Sequence, residues 1–436
     1  MQYISQILFT LILIAGIGYF ASNVKKLFRN ISLGKDLDVS DNKPQRWKNM
    51  AKIALGQSKM VVRPIAGFLH IIVYVGFIII NIEVLEIVID GVFGTHRIGL
   101  QVLNASVYGF LIGSFEVLAV LVLVAVIAFW IRRNVIKIKR FLSAEMTGWP
   151  KSDGNIILYF EVVLMCLFLV MNATDTTFQN LGSGNVISQF IAPLFDGMSE
   201  GSLHMIERTA WWIHIIGILV FLNYLYFSKH LHILLAFPNT YYGKLRPKGQ
   251  FLNNEAVTKE VKLMMDPSAD PFAAPAEDAP VPEKFGASDV TDLSWVQLLN
   301  AYTCTECGRC TSECPANITG KKLSPRKIMM DTRDRLVEVG KNIDANKGTF
   351  VPDGKQLLGD YISNEELWAC TSCNACVEAC PVSIDPLSII MDMRQYLVME
   401  QSAAPSDLNN MMGNIENNGA PWPFNQQDRL NWANES

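Results

Sequence analysis

Apolar residues crowd the first half of the chain into five long runs, at roughly 5–22, 64–89, 106–131, 155–173 and 209–228, and then thin out. A helix needs about 20 apolar residues to cross a bilayer, so the pattern predicts five transmembrane helices. Beyond residue 230 the runs shorten. Segments 324–339 and 386–400 place apolar residues at helical spacing, which predicts amphipathic helices. Residues 266–288, opening Asp266-Pro267-Ser268-Ala269-Asp270-Pro271, are rich in Pro, Ala and acidic groups and have too few large apolar side chains for a core, so they read as a linker. The expected organisation is a membrane bundle over 1–235, a connector and linker over 236–288, a mainly helical domain over 289–400 and a polar tail over 401–436.

Composition alone would allow a large soluble protein, since 50% of the 436 residues are hydrophobic. The uneven distribution excludes that. The first run has no charged residue before Lys25, so it lacks the basic start of a secretory signal and reads as an anchor. Ten Lys or Arg residues lie between Lys25 and Arg63, and Arg132, Arg133, Lys137, Lys139 and Arg140 follow the third run, whereas 174–207 has none. The positive-inside rule then puts the N-terminus outside and everything after Lys229 in the cytoplasm. A net charge of -4 gives no reason to invoke nucleic acid as a partner.

Eight of the nine cysteines fall after residue 300 in two copies of one pattern, Cys304-x2-Cys307-x2-Cys310-x3-Cys314-Pro315 and Cys370-x2-Cys373-x2-Cys376-x3-Cys380-Pro381. Three closely spaced thiolates wrap one cubane, and the fourth cysteine, followed by proline, reaches to the other cluster. The spacing therefore predicts two [4Fe–4S] clusters, one on Cys304, Cys307, Cys310 and Cys380, the other on Cys370, Cys373, Cys376 and Cys314. The fold class expected is an all-α five-helix membrane bundle followed by a mainly helical two-cluster ferredoxin domain, held together more by its clusters than by its apolar core. A reducing compartment opposes a disulfide framework, and structural zinc sites usually separate their Cys-x2-Cys units by longer gaps. No other internal repeat is visible.

All six histidines lie before the cluster domain. His70 stands near the inner end of the second run, His214 near the outer end of the fifth, and His232 just past its inner end. A continuous helix would separate His214 from His232 by about 27 Å, at about 1.5 Å per residue. Bis-histidine haem b ligation needs partners at matching depth: His70 pairs with His232, or less well with His230, which should point elsewhere on a helix. One haem b is expected there. A second, on His214, would need His96 or His204. Glu116 and Glu161 fit a proton relay, a quinol contact or a plain helix contact equally, and Cys166 reads as core.

Span five and its exit carry Trp211-Trp212-Ile213-His214 and Phe227-Ser228-Lys229-His230-Leu231-His232. On these residues the chain to about 235 resembles the cytochrome b gamma subunit of respiratory nitrate reductase. That resemblance implies five spans with the N-terminus outside, and haem ligands at His70, His214 and His232. Ile80 and Asn81 occupy the level where that family has a second span-two histidine. Residues 285 to about 400, through the two cysteine motifs and Gly320-Lys321-Lys322-Leu323-Ser324-Pro325, resemble the two-cluster domain of heterodisulfide reductase-like proteins and of the anaerobic glycerol-3-phosphate dehydrogenase C subunit. The order of the two parts is similar to the membrane-bound heterodisulfide reductase-like iron–sulfur oxidoreductases of the bacterial inner membrane. In those a domain with two Cys-Cys-Gly units follows, whereas no cysteine follows Cys380 here. The resemblance implies that a separate cytoplasmic subunit, of that cysteine-rich iron–sulfur type or a flavoprotein, docks near 411–432, where Trp422 and Trp432 punctuate a polar tail.

Together these readings point to an electron conduit between membrane quinone or quinol and a cytoplasmic redox partner, within a quinone-linked oxidoreductase complex. The alternatives are a haem-free membrane-anchored ferredoxin and a complete disulfide or hydroxy-acid oxidoreductase. The chain holds no GxGxxG fingerprint or further cysteine pair for the latter, and hence no evident substrate-converting site of its own. A transporter would leave the eight cysteines unexplained.

Overall fold

The computed structural model describes residues 3–247, 249–251, 253–268 and 284–434. Five helices are long and apolar enough to span a membrane: α1 (Ile4–Ile31), α2 (Pro64–Phe93), α3 (Ala105–Asn134), α4 (Trp149–Thr174) and α5 (Glu200–Tyr224), the last extended by a 3₁₀ turn to Phe227. Each packs on its neighbour in sequence, and α1 closes the ring against both α2 and α5. Phe9, Ile80, Ile112, Phe115, Phe168, Trp211 and Ile215 fill the centre. Glycines allow the close approaches: a Cβ on Gly91 would lie 2.5 Å from the Phe9 ring, and one on Gly76 would lie 2.4 Å from a Val122 methyl. The outward faces stay apolar, with Ile7, Leu11, Ile14, Leu85 and Val124 exposed as a lipid-facing surface requires.

Spans four and five begin earlier than the hydropathy predicts. The added turns are polar: Trp149-Pro150-Lys151-Ser152-Asp153 has Pro near its start, and Ser199 caps α5 by accepting from the Ser202 N–H. Helix geometry runs on past the apolar stretch at each of these ends. The fifth span also stops sooner. Ser228 is extended (φ -111°, ψ 151°), and a 3₁₀ turn at Lys229–Leu231 leads into α6 (His232–Tyr241). The straight 27 Å helix expected between His214 and His232 is therefore broken.

The second half is helical around two short cysteine loops, with α7 (Trp295–Thr303), α8 (Pro325–Ala345) and α9 (Pro386–Met399) as its main elements, followed by α10 (Ser406–Asn418). No strand occurs among the described residues, only two isolated bridges. Its core is larger than expected, because the membrane half completes it: Leu27 and Ile31 of α1 and Leu231, Leu235 and Ala236 pack with Leu298, Leu299, Tyr302, Leu336 and Val339. Two fully buried arginines brace it. Arg335 pairs with Asp289 (2.8 Å) and Asp353 (2.6 Å), and Arg326 with Glu145 (2.7 Å) from the loop before α4.

Of the expected linker, residues 269–283 lie outside the described residues. Its end is packed rather than loose. Ala287 is fully buried and its N–H donates to the Asp392 carbonyl at 3.0 Å. Gly286 (φ +71°) permits this, since a Cβ there would stand 2.2 Å from that carbonyl oxygen.

Candidate cofactor sites

The two cysteine motifs adopt one backbone shape. In Cys304-Thr305-Glu306-Cys307-Gly308 the residues flanking the second cysteine have φ +52° and +70°, and in Cys370-Thr371-Ser372-Cys373-Asn374 the equivalent pair has +58° and +59°. Such left-handed residues turn successive N–H groups inward, a cradle for anionic sulfur. Ser372 N–H lies 3.4 Å from Cys370 Sγ, and Ile384 N–H lies 3.3 Å from Cys380 Sγ. The helical turns that follow, Arg309–Ser312 and Ala375–Ala379, pack on each other.

The last cysteine of each motif lies within electrostatic reach of cysteines of the other motif. Burial, then Cys307, pushes Cys380 up to about 11. Burial raises Cys376 to about 12, with Asp385, Cys370 and Cys314 adding to it. Burial likewise lifts Cys304 to about 12. Such thiols are costly to keep as bare thiolates, and a bound metal cluster supplies the missing positive charge.

The histidines His70, His230 and His232 come together where the bundle meets the first cysteine loop. His70, on α2, feels His232 and Arg309, the latter lying between Cys307 and Cys310. His70 Nδ1 is buried without a hydrogen-bond partner. His232 Nδ1 lies 3.0 Å from the Lys229 carbonyl, which leaves its Nε2 free. Contrary to the helical expectation, the His230 and His232 rings share one region, with centroids 5.8 Å apart, where the 3₁₀ turn Lys229–Leu231 leads into α6. Burial drives both imidazoles toward the neutral, ligating form.

Sequence reasoning missed the residues that join the halves. Lys229 Nζ donates to Glu306 Oε2 at 2.7 Å and lies 3.8 Å from Asp153, while Arg333 holds the other Glu306 oxygen at 2.7 Å. Arg309 donates to the Lys59 carbonyl (2.8 Å), Arg63 pairs with Glu313 (2.9 Å), and Asn30 donates to the Tyr302 hydroxyl (2.9 Å). The only signal was Glu306 and Arg309 standing among the cysteines; their partners are remote in sequence.

The remaining expected residues scatter. His214 is buried beside Phe168, its Nδ1 without a partner. His96 turns to Asp175 (3.2 Å), and His204 is largely exposed beside Glu207. Glu116 is saturated by the Ile187 and Ser188 N–H groups and the Asn172 amide, which makes it a helix cap. Glu161 is half-buried. Cys166 is exposed on the bundle surface, not in its core: its span turns that face outward. In the tail, Met411, Met412, Ile415, Trp422, Phe424, Leu430 and Trp432 are all exposed.

Residues 303–384 match the family model of the 4Fe–4S dicluster domain. Over 99% of its length the chain is 28% identical to a probable iron–sulfur-binding oxidoreductase, FadF, of Bacillus subtilis, and covers 61% of that protein. It is 26% identical to the EtfAB:quinone oxidoreductase of Syntrophomonas wolfei over 92% of this chain and 55% of the relative. A stretch of 36% of the chain is 34% identical to a probable membrane-anchored ferredoxin of Chromohalobacter salexigens, covering 25% of it. The chain thus spans little more than half the length of the first two relatives. No solved structure matches it. Residues 303–384 thus form a 4Fe–4S dicluster domain, and the same chain carries five helices long and apolar enough to cross a membrane.

Proposed function

We propose that the chain is the membrane subunit that passes electrons between the quinone pool and a separate cytoplasmic redox subunit. Cys304, Cys307, Cys310 and Cys380 hold one cluster, and Cys370, Cys373, Cys376 and Cys314 the other. His70 and His232 hold a haem b, and His214 is the candidate ligand of a second. When bound, the haem and the clusters supply one-electron carriers in series.

The observation that carries this reading is the gathering of His70, His230 and His232 near the Cys304–Cys314 loop, with Arg309 of that loop within electrostatic reach of His70. The donor set fits a haem: the Nδ1 of His70 is buried and unpartnered, and His232 keeps Nε2 free by giving Nδ1–H to a backbone carbonyl, as metal-bound imidazoles do. Lys229, Glu306 and Arg333 fix the spacing between these imidazoles and the cysteine loop.

The quinone end is supported by the likeness to a protein named EtfAB:quinone oxidoreductase, a name that pairs quinone with a second redox partner. The exposed Trp422, Phe424 and Trp432 suit burial in that partner. The charge asymmetry of the loops supports a cluster domain facing the cytoplasm of a bacterial inner membrane.

The deciding experiment is iron and haem quantification on detergent-purified protein, with reduced-minus-oxidised spectra before and after quinol. A quinol-reducible b-type spectrum that disappears in His70→Leu or His232→Leu is expected. Full cluster iron with no haem in the wild type would overturn the reading in favour of a membrane-anchored ferredoxin.

A further inference from the structure

At the end of the bundle away from the cluster domain, three elements converge on one small cavity: the close of α2 with the turn after it, the close of α4, and the start of α5. Asp175 caps the short helix Thr176–Asn180, Glu207 lies on α5, and His96 lies in the turn after α2. One ligand atom from each of these three falls within 4.8 Å of the other two. Glu83 lines the same cavity; it is 3% exposed, and its Oε2 has no hydrogen-bond partner.

The other acidic groups there are already used. Glu86 accepts from the Gly99 N–H (2.8 Å) and the Tyr108 hydroxyl, and Asp90 accepts from the Arg97 N–H (2.7 Å), the Ile98 N–H (3.1 Å) and Thr95. Arg97 donates to Asp175 Oδ2 at 2.6 Å, and Arg208 grips Glu207. Five carboxyl groups thus face only two guanidiniums around the cavity. Carboxylate oxygens that accept one hydrogen bond keep a second lone pair. His96 Nε2 already sits 3.2 Å from Asp175 Oδ2, a separation that two ligands of one small cation share, and its side chain is 39% exposed and free to swing inward.

We propose that His96, Asp175 and Glu207, with Glu83 behind them, form a binding site for a divalent transition cation. One imidazole with two or three carboxylates suits Zn²⁺ or Mn²⁺. The ion supplies the partner that Glu83 lacks and ties the turn after α2 to α4 and α5. The site lies at the opposite end of the bundle from the cysteine loops and does not depend on a haem held by His70 and His232.

The test is Mn²⁺ titration, read by electron paramagnetic resonance, of the full-length protein in detergent after EDTA treatment. One Mn²⁺ per chain, displaced by Zn²⁺, is expected, with affinity at least tenfold weaker in His96→Ala and in Glu83→Gln and cluster iron unchanged in both. His96 is partly exposed, so its variant guards against a mere folding defect. Absence of a stoichiometric Mn²⁺ in the wild type, or equal binding in both variants, would overturn the site and leave Glu83 as a plain buried acid.

Discussion

At the scale of the residue, charge pairing decides what is legible. The cysteines declare themselves because a cubane demands its thiolates within a few residues of one another. Lys229 does not, because its partner Glu306 is 77 residues away. Both are almost fully buried, and Arg333 completes the triad. Removing one member of such a group strands the rest, at about 3–5 kcal/mol. Lys229→Met should therefore destabilise the docked domain by that order, seen as faster hydrogen exchange in α7. Arg29→Ala, which breaks a half-exposed pair with Asp344, should cost under about 1 kcal/mol. Equal effects would mean that the triad does not organise the contact. Glu116 makes the same point inside the bundle. With three donors on one carboxylate, Glu116→Ala should cost about 2 kcal/mol or more and loosen 185–191, whereas a proton relay alone would leave stability untouched.

Elements were legible wherever one periodicity ran uninterrupted. All five spans appear where the apolar runs stand, and the errors fall at their ends, where capping and proline outweigh hydropathy: Ser199 for α5, Pro150 for α4. The break at Ser228 was invisible, because Phe227-Ser228-Lys229-His230 carries no Gly or Pro to announce it. It nevertheless redirects the chain just before His230 and His232, whose rings lie 5.8 Å apart. The junction between α1 and the segment before α7 is equally tight. Lys35 N–H donates to the Leu293 carbonyl at 2.7 Å, and the Trp295 N–H returns to Lys35 at 3.0 Å. A Cβ on Gly34 would stand 2.6 Å from Trp295 N and 2.8 Å from the Leu293 oxygen, both backbone atoms that cannot swing aside. Gly34→Ala should therefore open this pairing and expose 290–295 to limited proteolysis, while the same change at Gly18, which has open space around it, should do nothing.

For the molecule as a whole, the apolar pattern divides the chain into a bundle and a cluster domain and implies two bodies on a tether. The contacts argue otherwise. Leu27 and Ile31, which lie in the basic stretch after the first apolar run, and Leu231 and Leu235, which lie at the end of the expected bundle, are core residues shared with the cluster domain. No sequence window reveals that, because each residue finds its partners in the other half. The buried ion pairs Lys229–Glu306 and Arg326–Glu145 cross the same boundary. A body held by a common core and desolvated ion pairs resists salt, which screens exposed charges and leaves buried ones largely alone. A protease site inserted within 269–283 and cleaved should therefore leave two fragments that co-purify in detergent even at high salt. Dissociation on cleavage alone would mean that the tether holds the halves together. Dissociation of cut Lys229→Met protein, with the cut wild type intact, would identify the buried triad as the clasp that keeps the histidines against the first cysteine loop.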